Sequence, residues 1–227
     1  MLTAALYGAA TAVPLVVGAA AGLRWRIPQA ALAALMAFGA GTMIAAASQE
    51  LFGPAFDALD AVRAGIALLG GAGLYVVLSH LLDRRAGTSA VGMGLLLGAF
   101  LDGVPENTAL GVSLGEGGLA LLVAIAVGNT PEAIASAAAL RDDERLGPRR
   151  GLALWAAVGV LLTLVTVGAH AAGDAVSPAA VAAAQAVAGG ATLAVLADTL
   201  LPEAYREGGW WVGIATALGF WLAFVLG

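Results

Sequence analysis

The strongest constraint in this sequence is how rarely its apolar runs are interrupted. Stretches of about 18 or more apolar residues, each able to cross a bilayer as a helix, follow one another with short connections. Inside lipid every backbone N–H and C=O needs a partner within the protein, so such a chain folds as packed helices. The spacing predicts eight spans at about 2–23, 28–52, 64–82, 90–114, 118–140, 151–172, 178–202 and 209–227. Only 11% of residues are charged, and a mean hydropathy of +0.94 leaves no room for a large soluble domain. Cysteine is absent, which excludes disulfides and thiolate metal sites. The net charge of −5 gives no reason to expect nucleic acid as a partner.

The arginines orient the spans. With the N-terminus outside, the inner loops hold Arg24, Arg26, Arg84, Arg85, Arg141, Arg145, Arg149, Arg150 and Arg206, and the outer loops hold only Arg63. Basic residues concentrate on the inner side of membrane proteins, so eight spans with both termini extracytoplasmic is the expected topology. Trp25, Trp155, Trp210 and Trp211 fall near span ends, as interfacial anchors do. Arg24 and Arg26 follow the first apolar run instead of preceding it, the reverse of a secretory signal, so a retained first span is expected. The 32 glycines suit helices packed backbone to backbone.

Two internal similarities stand out. "GAFLDGVPENTALGVSL" and "AIAVGNTPEAIASAAAL" share a Pro-Glu core at an offset of 26 and fall on adjacent spans 4 and 5. "GAGTMIAAASQELF" (39–52) and "GGATLAVLADTLLP" (189–202) match at an offset of 150, pairing Gly39, Thr42 and Ala47 with Gly189, Thr192 and Ala197. Spans 2 and 7 cross in opposite directions, so the second similarity predicts an inverted repeat of spans 1–3 against 6–8 around spans 4–5.

Each Pro-Glu is costly where it sits. Pro105 and Pro131 cannot donate to the carbonyls of Leu101 and Val127, and a freed carbonyl is tolerated at membrane depth only beside protein, water or an ion. Asp102 and Glu106 share a helix face at i,i+4, and Asn129 and Glu132 share one at i,i+3. Asn107 adds a further amide. At 1.5 Å per residue from the outer turn, Glu106 lies about 15 Å deep, Asp102 and Asn129 about 20 Å, and Glu132 about 24 Å. Three ionised, unpaired carboxylates there would cost roughly 8–10 kcal/mol. No Arg, Lys or His lies in the interior to neutralise them. Carboxylate, amide and backbone oxygens between two broken helices suit a divalent cation.

On these motifs the sequence resembles the ZIP family of divalent metal transporters over nearly its whole length. "AFGAGTMIAAASQELFGPAFDA" is similar to that family's second span and "ADTLLPEAYREGG" to the end of its seventh. The family's fourth-span His-Asn-x-Pro-Glu-Gly corresponds to Asp102-Gly103-Val104-Pro105-Glu106-Asn107. Its fifth-span His/Gln-Glu/Asp-x-Pro-Glu-Gly corresponds to Gly128-Asn129-Thr130-Pro131-Glu132-Ala133. The resemblance implies a divalent ion as substrate, bound by Asp102, Glu106, Asn107, Asn129 and Glu132, with Met43 approaching from span 2. It implies Gln49, Glu50 and Asp198 as stations along the ion's path. Gly103 and Gly128 stand where the family has ligands, and the family's histidine-rich loop is missing. An all-oxygen site favours Mg²⁺, Ca²⁺, Mn²⁺ or Fe²⁺ over the softer Zn²⁺ that the resemblance suggests.

The expected protein is therefore a multi-pass cell-membrane transporter and not an enzyme. Its partners are the metal ion and the lipid bilayer, and a homodimer stays open. Two alternatives stand beside it. One is a ZIP-fold sensor or scaffold that binds without transport. The other is an antiporter like the cation/calcium exchangers, whose repeats resemble "GNTPEAIASA".

Overall fold

A computed structural model describes residues 1–86, 100, 103–104, 106–112, 114, 118–141, 147–172 and 176–226. Among them there is no strand. The helices are α1 (Leu2–Arg24), α2 (Gln29–Ala46), α3 (Gly53–Ala58), α4 (Ala61–Ala86), α5 (Gly118–Arg141), α6 (Gly147–Ala172), α7 (Pro178–Val195), α8 (Leu201–Gly208) and α9 (Val212–Leu226). Residues 103–104 and 106–112 are also helical.

Six helical stretches are long and apolar enough to cross a membrane: Leu2–Arg24, Gln29–Ala58, Ala61–Leu81, Leu121–Ala138, Gly147–Ala172 and Pro178–Gly208. This is an all-α, multi-pass membrane protein. Val212–Val225 is a shorter apolar helix, and most of the expected span 90–114 lies outside the described residues. Val62, Ile66, Leu69 and Val77 on α4, and Val160, Leu161 and Leu164 on α6, are exposed. In water such faces would be interaction or aggregation sites; against acyl chains they are ordinary solvation.

Capping fixes the ends. The Asp60 carboxylate accepts from the backbone N–H groups of Val62 (3.1 Å) and Arg63 (3.0 Å), starting α4. Ser177 caps α7 by accepting from Ala180 N–H at 3.3 Å, with Pro178 in the first turn, where its missing N–H costs nothing. Gly209, at φ +81, lets the chain leave α8 in a conformation that side chains resist.

Two helices run further than the sequence spacing predicts. The second and seventh spans, expected to stop near 52 and 202, continue to Ala58 and Gly208 through π-helical turns at Ala47–Phe52 and Leu196–Leu200. Each turn stands just ahead of a proline, Pro54 or Pro202, which lacks the N–H for an ordinary i→i−4 bond. The wider register steps past this defect. Gly53 N–H bonds to the Ser48 carbonyl, and Leu201 N–H to the Leu196 carbonyl, each five residues back.

Helix crossings are built on glycine. A Cβ on Gly22 would strike the Ile134 carbonyl of α5, one on Gly41 the Thr216 carbonyl of α9, and one on Gly71 the Val187 carbonyl of α7. Lipid supplies no hydrophobic drive between helices, so close backbone approach supplies the van der Waals contact instead. Gly18 meets Thr130 and Gly22 meets Ile134, so α1 and α5 run parallel; Gly8 meets Thr163 and Gly151 meets Leu23, so α1 and α6 run antiparallel. The central element is α5. Of its window Leu121–Ala138, 65% is buried, against 17% for Ala61–Leu81.

Candidate metal site

Helix α5 stays helical through Pro131, which leaves the Val127 carbonyl without its usual donor. The Thr130 hydroxyl turns back to the Ala126 carbonyl at 2.6 Å. Asn129, Glu132 and Ser136 recur at i, i+3 and i+7 and so line one face. They are 3%, 1% and 0% exposed. The Ser136 hydroxyl, one turn beyond Glu132, has no hydrogen-bond partner among the described residues.

Helix α2 closes over this face. Gly39 packs on Pro131, and a Cβ there would sit 3.1 Å from the proline Cβ. At Gly128 the nearest atoms to a Cβ position are Met43 Cγ at 3.4 Å and Thr42 Oγ1 at 3.5 Å. Met43 is thus buried against the turn that precedes Glu132. Thr42 and Met43 take up the room that a side chain at position 128 would fill. Position 103 is different again: a Cβ on Gly103 would meet Leu162 Cδ1 of α6 at 2.8 Å, so packing against α6 fills that place.

Glu106 is 5% exposed. Leu110, one turn further, shares a buried cluster with Ile125, Leu121, Ala47 and Leu51. That cluster places the helical stretch 106–112 beside α5. Asn107 looks elsewhere. Its carbonyl accepts from the hydroxyls of Thr11 on α1 (2.8 Å) and Thr166 on α6 (3.0 Å), and its NH₂ donates to the Gly103 carbonyl at 2.9 Å. An amide held by three partners is a structural knot between three helices. Asp102 and Pro105 lie outside the described residues.

The expected path residues sit on the two π-helical turns or beside them. Gln49 donates to the Phe224 carbonyl of α9 at 3.3 Å. The Glu50 side chain is half-buried, and its carbonyl, four residues before Pro54, accepts from Gln185 at 3.3 Å. Asp198, four residues before Pro202, is exposed and accepts from Ser79 of α4 at 3.4 Å.

Sequence reasoning missed Ser136, Thr42 and Tyr75. Tyr75 is 3% exposed, and its hydroxyl lies 3.2 Å from Thr199 Oγ1. The available signal was Tyr75 with Ser79 at i,i+4, two hydroxyls on one face of an otherwise apolar span. His80 and His170 lie toward helix ends, exposed and half-buried. Among the described residues no three His, Cys, Asp or Glu side chains converge on one point. What the described residues bring together on the α5 face is Asn129, Glu132 and Ser136, with Thr42 and Met43 of α2 beside them.

No protein-family model matches this chain, and no curated protein matches it significantly.

Proposed function

We propose that the protein is a ZIP-like transporter of a divalent cation, which passes between α5 and the helix carrying Glu106. The observation that carries this reading is the burial of two glutamates, Glu106 and Glu132, and of Asn129 within the bundle, the latter two flanking Pro131 of α5. Burying a carboxylate in hydrocarbon costs roughly 3 kcal/mol when ionised, which a bound cation offsets. Glu106 and Glu132 hold the ion, Asn129 and the Ser136 hydroxyl complete its shell with Asp102, and Thr42 and Met43 close it from α2. Such ligands favour Mn²⁺, Fe²⁺, Mg²⁺ or Ca²⁺; zinc enters through the family resemblance alone.

The proposed topology has eight spans with both termini outside. It is supported by α5 running parallel to α1 after three long apolar stretches, Leu2–Arg24, Gln29–Ala58 and Ala61–Leu81, which calls for a fourth crossing before α5. An inverted repeat of spans 1–3 and 6–8 is supported by the two π-helical turns ahead of Pro54 and Pro202, and by Thr42 and Thr192, both buried and each bonded to its own helix backbone. The path inward then runs from Glu132 past Tyr75 and Thr199 to Asp198 and Ser79. Alternating access follows as the helices around α5 slide on their glycine contacts.

The test is uptake into proteoliposomes of Mn²⁺, Mg²⁺, Ca²⁺, Fe²⁺, Zn²⁺ and Cd²⁺, with Glu106→Gln and Glu132→Gln alongside. Uptake of at least one ion, abolished by both substitutions in folded protein, is expected. The absence of a converging cluster of three acidic or histidine side chains among the described residues favours a second reading, a sensor or scaffold. Folded protein that moves none of the six ions would make that reading the better one.

A further inference from the structure

A second feature lies at the other side of α1, away from the glutamates. Between the C-terminal end of α1 and the N-terminal end of α6 is a cleft of ≈ 620 Å³. That falls within the range of about 300–1,000 Å³ common to small-molecule sites. Val17, Ala21 and Leu152 form its walls, and Arg24, Trp25 and Arg149 stand at its end. We infer that this cleft binds one anionic phospholipid of the adjoining leaflet, acyl chains along the walls and phosphodiester between Arg24 and Arg149.

Three observations carry it. The walls are apolar and open sideways: Val17, on the face of a membrane-crossing helix, is 61% exposed, so the cleft faces acyl chains. The two guanidinium groups come from different helices, and neither makes an ion pair or hydrogen bond among the described residues. Arg141 and Arg150 are occupied, Arg141 donating to the Trp25 carbonyl at 2.8 Å, and Arg26 does not line the cleft. Two unspent forks lining one cleft suit a phosphate, which takes paired N–H donors. Finally, Trp25 is 65% exposed at the same level, where an indole belongs at the headgroup boundary. Basic pockets between membrane helices recognise anionic headgroups on this logic. The inference needs α1 and α6 to span the membrane; it does not depend on metal transport.

The experiment is a titration of the whole protein in detergent micelles with phosphatidylglycerol or phosphatidylcholine, the bound lipid counted by native mass spectrometry. Each arginine near an anionic surface contributes a factor of about 5, so the expected preference for phosphatidylglycerol is about 25-fold. Arg24→Gln with Arg149→Gln should erase it, and Arg63→Gln should leave it intact. Equal retention of the two lipids, or a preference that survives the double substitution in folded protein, overturns the proposal. So does displacement of the lipid by inorganic phosphate, which would make this a site for a soluble anion. A second measurement needs no arginine variant. Phosphatidylglycerol brominated on its chains should quench the part of the fluorescence that Trp25→Phe removes, more strongly than brominated phosphatidylcholine; equal quenching counts against the site.

Discussion

Two polar clusters lie within the helix bundle, and they are built on opposite terms. In one, Asn107 is gripped by Thr11, Thr166 and the Gly103 carbonyl, with both hydroxyls and both amide ends used inside the protein. In the other, the α5 face of Asn129, Glu132 and Ser136 is buried beside Thr42 and Met43, and the Ser136 hydroxyl has no hydrogen-bond partner among the described residues. A satisfied network in low dielectric rigidifies, whereas an orphaned polar atom costs stability and asks for another occupant. The first cluster pins three helices. The second is where a cation would be stabilising.

That contrast can be broken, and the sharpest attempt is Glu132→Gln. Uptake should fall by more than the about 10–100-fold that losing a supporting partner of a metal site costs, with the melting temperature little changed. A Gln variant that transports normally would reduce the α5 face to another structural knot. Next in size is Gly22→Ala, whose new methyl meets the Ile134 carbonyl; overpacking of this kind costs about 1–3 kcal/mol. It should lower both the folded yield and the uptake, because α1 holds α5 in place. Gly73→Ala, which meets nothing within 4 Å, is its neutral control.

Asn107→Leu probes the knot itself. Losing a buried, multiply bonded amide should cost about 1–3 kcal/mol in a melting curve while uptake per folded molecule stays at the wild-type level. A selective loss of uptake would return Asn107 to the ion's shell. The smallest effect belongs to Ser136→Ala. Removing an unpartnered hydroxyl should leave stability unchanged or raise it by up to about 1 kcal/mol, and the concentration of ion for half-maximal uptake should rise a few-fold. A clear fall in stability would mean that Ser136 is bonded in the folded protein after all.

Much of this was legible in the residues. Periodic Pro-Glu on an apolar background marked Glu106, Asn129 and Glu132 because burial of charge is costly wherever the helix lies. Asn107 reads identically in sequence, one residue from Glu106, yet it turns to α1 and α6: a step of 100° around the helix separates the two side chains, and only their neighbours give each direction a meaning. Ser136 was illegible for the converse reason. A lone hydroxyl on a membrane helix can bond to its own backbone, as Thr42 does to Gly39, so nothing in the sequence separates the one that cannot.

The sequence by itself determined that the chain is helical, that it crosses a membrane, and that Glu106 and Glu132 stand within apolar runs, where the structure buries them. Hydropathy and proline chemistry act locally, and no partner can cancel them. The tertiary structure decided which glycines are crossings, that Pro54 and Pro202 are absorbed by π-helical turns, and which polar groups spend their bonds on one another. Those outcomes depend on what stands opposite each residue, and in a bundle of many similar small-residue faces the opposite residue is fixed only by packing.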